Sequence, residues 1–460
     1  MKFKSLLAMA CMLLATAGTV AAQTSDALLQ KLVEKGILTA EEAKELKTKS
    51  DKDFATAYSA RSGMPESVTT FKFNGDFRGR YNVDTAENDA FVSRTRWRYR
   101  ARFGFVASLY DDFEIGLRLG SGDLDSDVTT GTSPLSLYQT AQNNASKKGV
   151  FLDQVYVKWS PSLAADWKIA ITLGKMADPF VFSEVSLGMD PDYTPEGAAW
   201  ELSHALSDSQ SLRWINGAFV LDELATTGRD PFLIGTQLRV DSKWTKCVST
   251  SAGVMWFAFV NTDQLANGSV PNANVGNWRV IPAGGAIQAD AVPVYNFNPI
   301  LVDASATYLF GHSPLYRGAF PVKVVGSYLN NPSAPNSGDN YAWSAGTLVG
   351  KAGKRGTWEL ATQYKWLGAN AIWEEVVDDD FGGYWATTAG QNFGRNDAAG
   401  FFAGTNARGL VSRLSYSVTD AVMFSFRWYH MQLINEPAVQ LTASAESLMD
   451  RFMLDVDLRF

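Results

Sequence analysis

The sequence predicts an all-β protein, a transmembrane antiparallel β-barrel of 16 strands behind a short periplasmic helical segment. Three observations carry this reading. Long stretches alternate apolar and polar residues with period two, the connections between them alternate short and long, and after residue 22 no apolar run is long enough for a helical span. Lipid tolerates only helices and closed sheets, so a membrane protein without the first must be the second.

The chain opens on a segment that reads as a secretory signal, residues 1–22. Lys2 and Lys4 supply the charged start, Leu6 to Ala17 the apolar centre, and Val20-Ala21-Ala22 the small-residue cleavage site. Once it is removed, Cys247 is the one cysteine left, so no internal disulfide is expected. The formal charge of −7 and a pI near 5.2 argue against a general polyanion binder such as a nucleic-acid protein.

Residues 23–48 differ from everything that follows. Leu28, Leu29, Leu32 and Val33 lie on a helical stripe, Gly36 breaks it, and Thr39 with Glu42 forms a capping box for a second short helix. These helices are too short to be stable alone. A polar stretch, residues 49–69, leads into the barrel, residues 70–460.

The expected strands are 71–81, 93–109, 113–120, 151–159, 167–174, 198–206, 211–221, 232–241, 248–260, 301–310, 320–328, 341–350, 357–366, 408–416, 421–430 and 450–460. Alternation is weakest in 198–206, 211–221 and 341–350, which leaves totals of fourteen and eighteen open. Aromatics gather at the short-turn ends: Tyr110, Phe113, Trp159, Trp167, Trp244, Tyr308, Phe310 and Tyr416. Such a girdle suits a membrane interface. A soluble sandwich or β-helix also alternates, but its inward face would be the apolar one and its long loops would fall on either end.

The second strand holds the most unusual stretch, "RTRWRYRARFGF". Arg94, Arg96, Arg98, Arg100 and Arg102 share one face, while Trp97, Tyr99, Phe103 and Phe105 share the other. Residues two apart on a strand are about 6.6 Å apart, so the ladder covers roughly 27 Å. Facing lipid, each arginine would cost about 2–4 kcal/mol near the midplane. The ladder therefore faces the interior, and that interior is expected to be water-filled. Arg78, Arg80 and Arg118 join it from the neighbouring strands. Closure brings Arg451 and Arg459 to the same wall. Two readings follow: an electrostatic strip favouring anions, or ion pairs with Asp76, Glu114, Asp455 and Asp457 that hold a polar wall in place.

The last ten residues alternate strictly and end on an aromatic, with Val456, Leu458 and Phe460 on one face. In this the chain resembles bacterial outer-membrane β-barrels, in which such a terminus is the signal read by the barrel assembly machinery. Across residues 70–460 the plan resembles the bacterial porins, and a helical segment followed by a barrel is similar to the putative porin family. The resemblance implies a homotrimer in the outer membrane, in contact with lipid and lipopolysaccharide. It implies passive diffusion of small hydrophilic or anionic solutes. It also implies that the third long loop, 175–197, folds inward and sets Glu184, Asp190 and Asp192 opposite the arginines as a constriction.

No cofactor or metal site is expected. His204, His312 and His430 are the only histidines, and none pairs with another at ligand spacing. The acidic clusters Asp123-Leu-Asp125-Ser-Asp127 and Asp378-Asp379-Asp380 lack the glycine and distal glutamate of a calcium loop and read as solvated loops. No nucleophile elbow, zinc-protease helix or phosphate loop is present, which argues against an enzyme. The alternative is a structural or adhesion barrel with a plugged lumen. An outer-membrane hydrolase is weaker still.

Overall fold

A computed structural model describes residues 31–35, 38–39, 41–49, 63–87, 93–122, 137–164, 166–184, 187–266, 276–280, 292–311, 313–385, 401–402, 404–435 and 447–460. The expected signal segment, the stripe residues Leu28 and Leu29, His312 and the cluster 123–127 lie outside the described residues. The chain forms two compact units: 1–71 with 107–110, and 72–106 with 111–460.

In the first unit, residues 41–49 are helical. The capping box closes as its chemistry dictates: the Thr39 amide donates to Glu42 Oε2 at 2.8 Å, and the Glu42 amide donates to Thr39 Oγ1 at 3.2 Å.

The second unit is dominated by an antiparallel sheet. Its long strands are β1 (Val68–Ala86), β2 (Arg94–Leu109), β3 (Phe113–Gly122), β4 (Gly149–Trp159), β5 (Trp167–Lys175), β6 (Glu196–Ser207), β7 (Gln210–Val220) and β8 (Phe232–Lys243). They continue with β9 (Val248–Val260), β10 (Ile300–Phe310), β11 (Phe320–Asn330), β12 (Tyr341–Gly350), β13 (Trp358–Leu367), β14 (Ala407–Ser417), β15 (Val422–Leu433) and β16 (Met449–Arg459). Each strand pairs with its sequence neighbour, and β16 pairs with β1, so the sheet closes on itself. All sixteen expected strands are present, the three weakest included. β1 begins at Val68, and the Thr69 and Thr70 hydroxyls bond Ser108 on β2.

The connections alternate as expected. Asp111 and Asp112, with φ of 59° and 65°, turn the chain between β2 and β3, a primed hairpin that matches strand twist. Long connections lie at the other end: loop 2 (123–148), loop 3 (176–195), loop 5 (261–299) and loop 7 (368–406) among them.

The two faces divide by solvent. Outward residues are apolar and exposed, among them Trp97 at 65% and Phe103 at 42%, and the girdle aromatics Trp159, Trp167, Trp244, Tyr308, Phe310 and Tyr416 are exposed as well. Inward residues differ around the ring. On β1–β3 and β16 they are charged. On β7–β9 Ile215, Phe219, Leu233, Met255, Phe257 and Phe259 are buried in one apolar cluster inside the barrel with residues of loops 3, 5 and 7, and Gln237 and Arg239 of β8 are buried on the same wall.

Candidate functional site: the barrel interior

The charged wall is built by cross-strand register. Along β1 the inward residues run Asp76, Arg78, Arg80, Asn82, Asp84, and opposite them on β16 stand Arg459, Asp457, Asp455, Met453 and Arg451. Opposite charges face one another at four of these five levels, an arrangement that stabilises an antiparallel pair. Arg80 Nε donates to Asp455 at 2.7 Å and Arg451 Nε to Asp84 at 2.6 Å; Arg78 Nε donates to Asp457.

The β2 ladder packs beside this pair. Arg96 reaches Asp84 at 3.4 Å, and Arg102 donates to Asp76 at 2.7 Å. Arg118 on β3 pairs with Asp153, which a bulge in β4 turns inward next to Gln154. Arg94 also sits on the ladder, half-buried. The expectation of arginines standing in open water needs correction: Arg80, Arg96, Arg98 and Arg100 are only 2–6% exposed. A guanidinium that deep requires partners, and they come from two loops as well as from the strands.

Loop 3 supplies one set. It is tied to the far wall first, where Gln237 Nε2 and Arg239 Nη1 donate to the Val181 carbonyl at 2.8 and 2.9 Å, and the Ser183 amide donates to Asp303 at 2.9 Å. It then returns across the interior, and Arg100 Nη1 donates to Asp192 at 2.8 Å, with Arg102 at 3.4 Å. The three acids assigned to this loop therefore separate. Asp192 meets the ladder. Asp190 is buried against loop 7, its amide on the Val376 carbonyl at 2.9 Å. Glu184 is exposed, beside the segment anchored on Asp303, and makes none of the ion pairs to the ladder.

Loop 7 supplies the other set. Asp378-Asp379-Asp380 does not project into solvent as a loop cluster would; it folds inward because four cations await it. Asp380 lies 3.2 Å from Arg80, 3.8 Å from Arg451 and 3.9 Å from Arg427, and Asp378 accepts from Lys365 at 3.0 Å. Burial acts to raise the Asp380 carboxyl, and Arg80, Arg451, Arg427 and Arg98 outweigh it and hold the group below the usual range. Asp379 is pushed up to about 7 by burial and by Asp380 and Asp378 beside it. Asp190 is raised too, by burial and then by Asp379, Asp192 and Asp378. Carboxylate oxygens of Asp190, Asp378 and Asp379 lie within 4.8 Å of one another. Such donors suit a hard cation, but protons compete for Asp379 and Asp190, whose carboxyls are both raised.

Glu114, expected against an arginine, instead accepts the Tyr156 hydroxyl at 3.1 Å. At the end of β16, Val456, Leu458 and Phe460 point outward, and Phe460 stacks on Phe73 at 6.0 Å. Gly75 is required there, since a Cβ would meet the Arg102 backbone carbonyl at 2.6 Å. His204 stacks on Trp167 at 4.1 Å and His430 bonds Asp450 at 2.9 Å, so both are engaged structurally. Sequence reasoning missed Asp84, Asp153, Tyr138 and the inward fold of loop 7. Of these, only Asp84 carried a signal, its place in the β1 alternation.

Fold and interior together define a porin-like sixteen-stranded barrel of the outer membrane. The family described as "Putative porin" matches residues 87–278. No curated relative matches. The high-pH structure of OprB from Pseudomonas putida is similar over 87% of this chain and 96% of its own, at 11% identity and a TM-score of 0.52. OmpF of Salmonella typhi, in complex with daunomycin, covers 85% of this chain and 97% of its own at 10% identity, with a TM-score of 0.44. At 11% identity the likeness to OprB speaks for the fold.

Proposed function

We propose that the barrel is a channel for passive diffusion of small hydrophilic solutes, that its route runs along the arginine wall, and that it prefers anions. The observation that carries this reading is a cavity of about 340 Å³ at the short-turn end. Arg78, Arg100, Arg102, Arg118 and Arg459 line it against two acids, Asp76 and Asp457. Five cations against two anions, between low-dielectric walls, raise the local concentration of anions. These cations are also paired from outside the cavity lining, Arg100 and Arg102 with Asp192 and Arg118 with Asp153, so the preference is modest. The third-loop residue Asp192, on Arg100 and Arg102, narrows the route there, while Asp190 supports the loop from behind. The resemblance to porins supports a homotrimer, to be measured as the mass of the native complex in detergent.

Reconstitution in planar bilayers tests this reading. Steady conductance steps are expected, with a reversal potential on the anion side in a KCl gradient. Cation selectivity overturns the anion preference. A second reading, a barrel with a plugged lumen whose loops serve a surface partner, draws support from the apolar cluster of loops 3, 5 and 7 inside the barrel. A silent bilayer decides for it.

A further inference from the structure

We infer that Tyr138 sets the charge preference and the width of the channel by covering the middle of the arginine ladder. The backbone places it there. Beyond the end of β3, Gln139–Thr140 takes over as the neighbour of β2, with Arg98 opposite Thr140 and Tyr99 opposite Gln139. Thr140 thus stands on the arginine side, and alternation returns Tyr138 to that side. The preceding residue is fixed as well. Leu137 is left-handed at φ 52°, its carbonyl accepts from Ser121 Oγ at 3.1 Å, and its side chain fills the space left by Gly120.

The ring then meets four arginines from two strands. The guanidinium carbons of Arg80, Arg98 and Arg100 lie 4.3, 4.7 and 5.4 Å from its centroid, and Arg78 Nη1 donates to its hydroxyl at 2.9 Å. Tyr138 itself is 2% exposed. A phenol ring attracts these cations through its quadrupole but carries no charge to cancel theirs. It hides them: with the ring in place, Arg80, Arg98 and Arg100 stay only 2–6% exposed. Below the ring the arginines open into the cavity that Arg78 and Arg100 line. Tyr138 therefore divides a covered stretch of ladder from an open one, and it occupies interior volume in doing so.

This rests on the channel reading, and one set of recordings separates the two. Wild type, Y138F and Y138A are purified as full chains, checked for the folded form by heat-modifiable migration, and recorded singly in planar bilayers under a KCl gradient. Y138F keeps the ring and loses one hydrogen bond, so conductance and reversal potential stay near wild type. Y138A uncovers three guanidiniums, so conductance rises roughly twofold and the reversal potential moves further to the anion side. A conducting wild type with a folded Y138A that matches it overturns the role of Tyr138 alone. A silent wild type overturns the channel reading itself. If Y138A does not reach the folded form, Y138L is recorded in its place. It removes the π face and keeps an apolar side chain, so the anion shift remains with a smaller gain in conductance, and wild-type values in a folded Y138L overturn the inference.

Discussion

The charged wall of β1–β3 and β16 and the apolar wall of β7–β9 enclose the same interior by opposite means. On the first, strand arginines are held by aspartates of the partner strand and of loops 3 and 7. On the second, Phe180 of loop 3 lodges edge-on between Phe219 at 6.3 Å and Phe257 at 5.7 Å, and Phe259 meets Trp373 of loop 7 at 5.7 Å. The difference teaches how a loop is kept inside a barrel. A dry cluster anchors it without specifying where its charges go, and the charged wall then fixes its far end. Loop 3 uses both, at Phe180 and at Asp192.

The anchor is the place to break this arrangement. Arg239 and Asp303 are 3% and 1% exposed, 2.8 Å apart, and Arg239 also holds Val181 and Ser183 of loop 3. Arg239→Ala leaves Asp303 charged and buried, a loss of about 3–5 kcal/mol. The expected result is a lower midpoint in urea unfolding and protease cleavage within loop 3. An unchanged midpoint would show that the apolar cluster alone holds the loop.

Why one wall was legible in the sequence and the other was not follows from the same contrast. On β1, β2 and β16 one face is charged and the other apolar, so period two is plain and Arg78, Arg80 and Arg94–Arg102 are assigned to the interior from spacing alone. On β7 and β9, outward Trp214 and Trp256 alternate with inward Ile215, Met255 and Phe257, so both faces are apolar and alternation fades. Strand length and the flanking turns still marked these strands. What no local pattern carries is where a loop goes. Asp378–Asp380 has the composition of a solvated loop, and it turns inward because Arg80, Arg427 and Arg451, on other strands of the closed barrel, join Lys365 of the preceding strand around it.

Two substitutions sharpen the contrast with smaller effects. Phe180→Ala removes the ring between Phe219 and Phe257, and about 3–4 kcal/mol is expected to be lost as cavity and transfer terms. With the anchor gone, loop 3 fluctuates in the lumen, and single-channel recordings are expected to grow noisier with a higher mean conductance. Arg102→Ala acts on the other wall, at a half-buried residue whose partners Asp76 and Asp192 keep other contacts, among them Arg100. Stability should fall by about 1 kcal/mol or less, while the reversal potential moves toward the cation side. A large loss of stability with no change in selectivity would make the ladder a strut.

The smallest expected effect separates the walls by pH. Burial pushes the Asp178 carboxyl of loop 3 up to about 7, although it accepts the Phe180 amide at 3.0 Å, which works the other way. The half-buried Tyr193 hydroxyl is pushed up in turn, by burial and then by Asp178, Glu375 and Glu196. In the unfolded chain the same carboxyl has a pKa of about 3.9. Between those values the folded loop keeps a proton that the unfolded chain has released. Its favourable contribution is full below about pH 4 and is lost as the pH rises to about 7. Asp380 behaves in the opposite sense. Its arginines hold it low, so its contribution is present at neutral pH and is lost only as acid protonates it. Amide hydrogen exchange at pH 5 and pH 8, corrected for intrinsic rates, is therefore expected to show loop 3 opening more readily at pH 8 around residues 178–184. Asp178→Asn carries no titrating proton and should abolish the difference. Equal protection at both pH values in the wild type would place the Asp178 carboxyl in water instead of against the apolar wall.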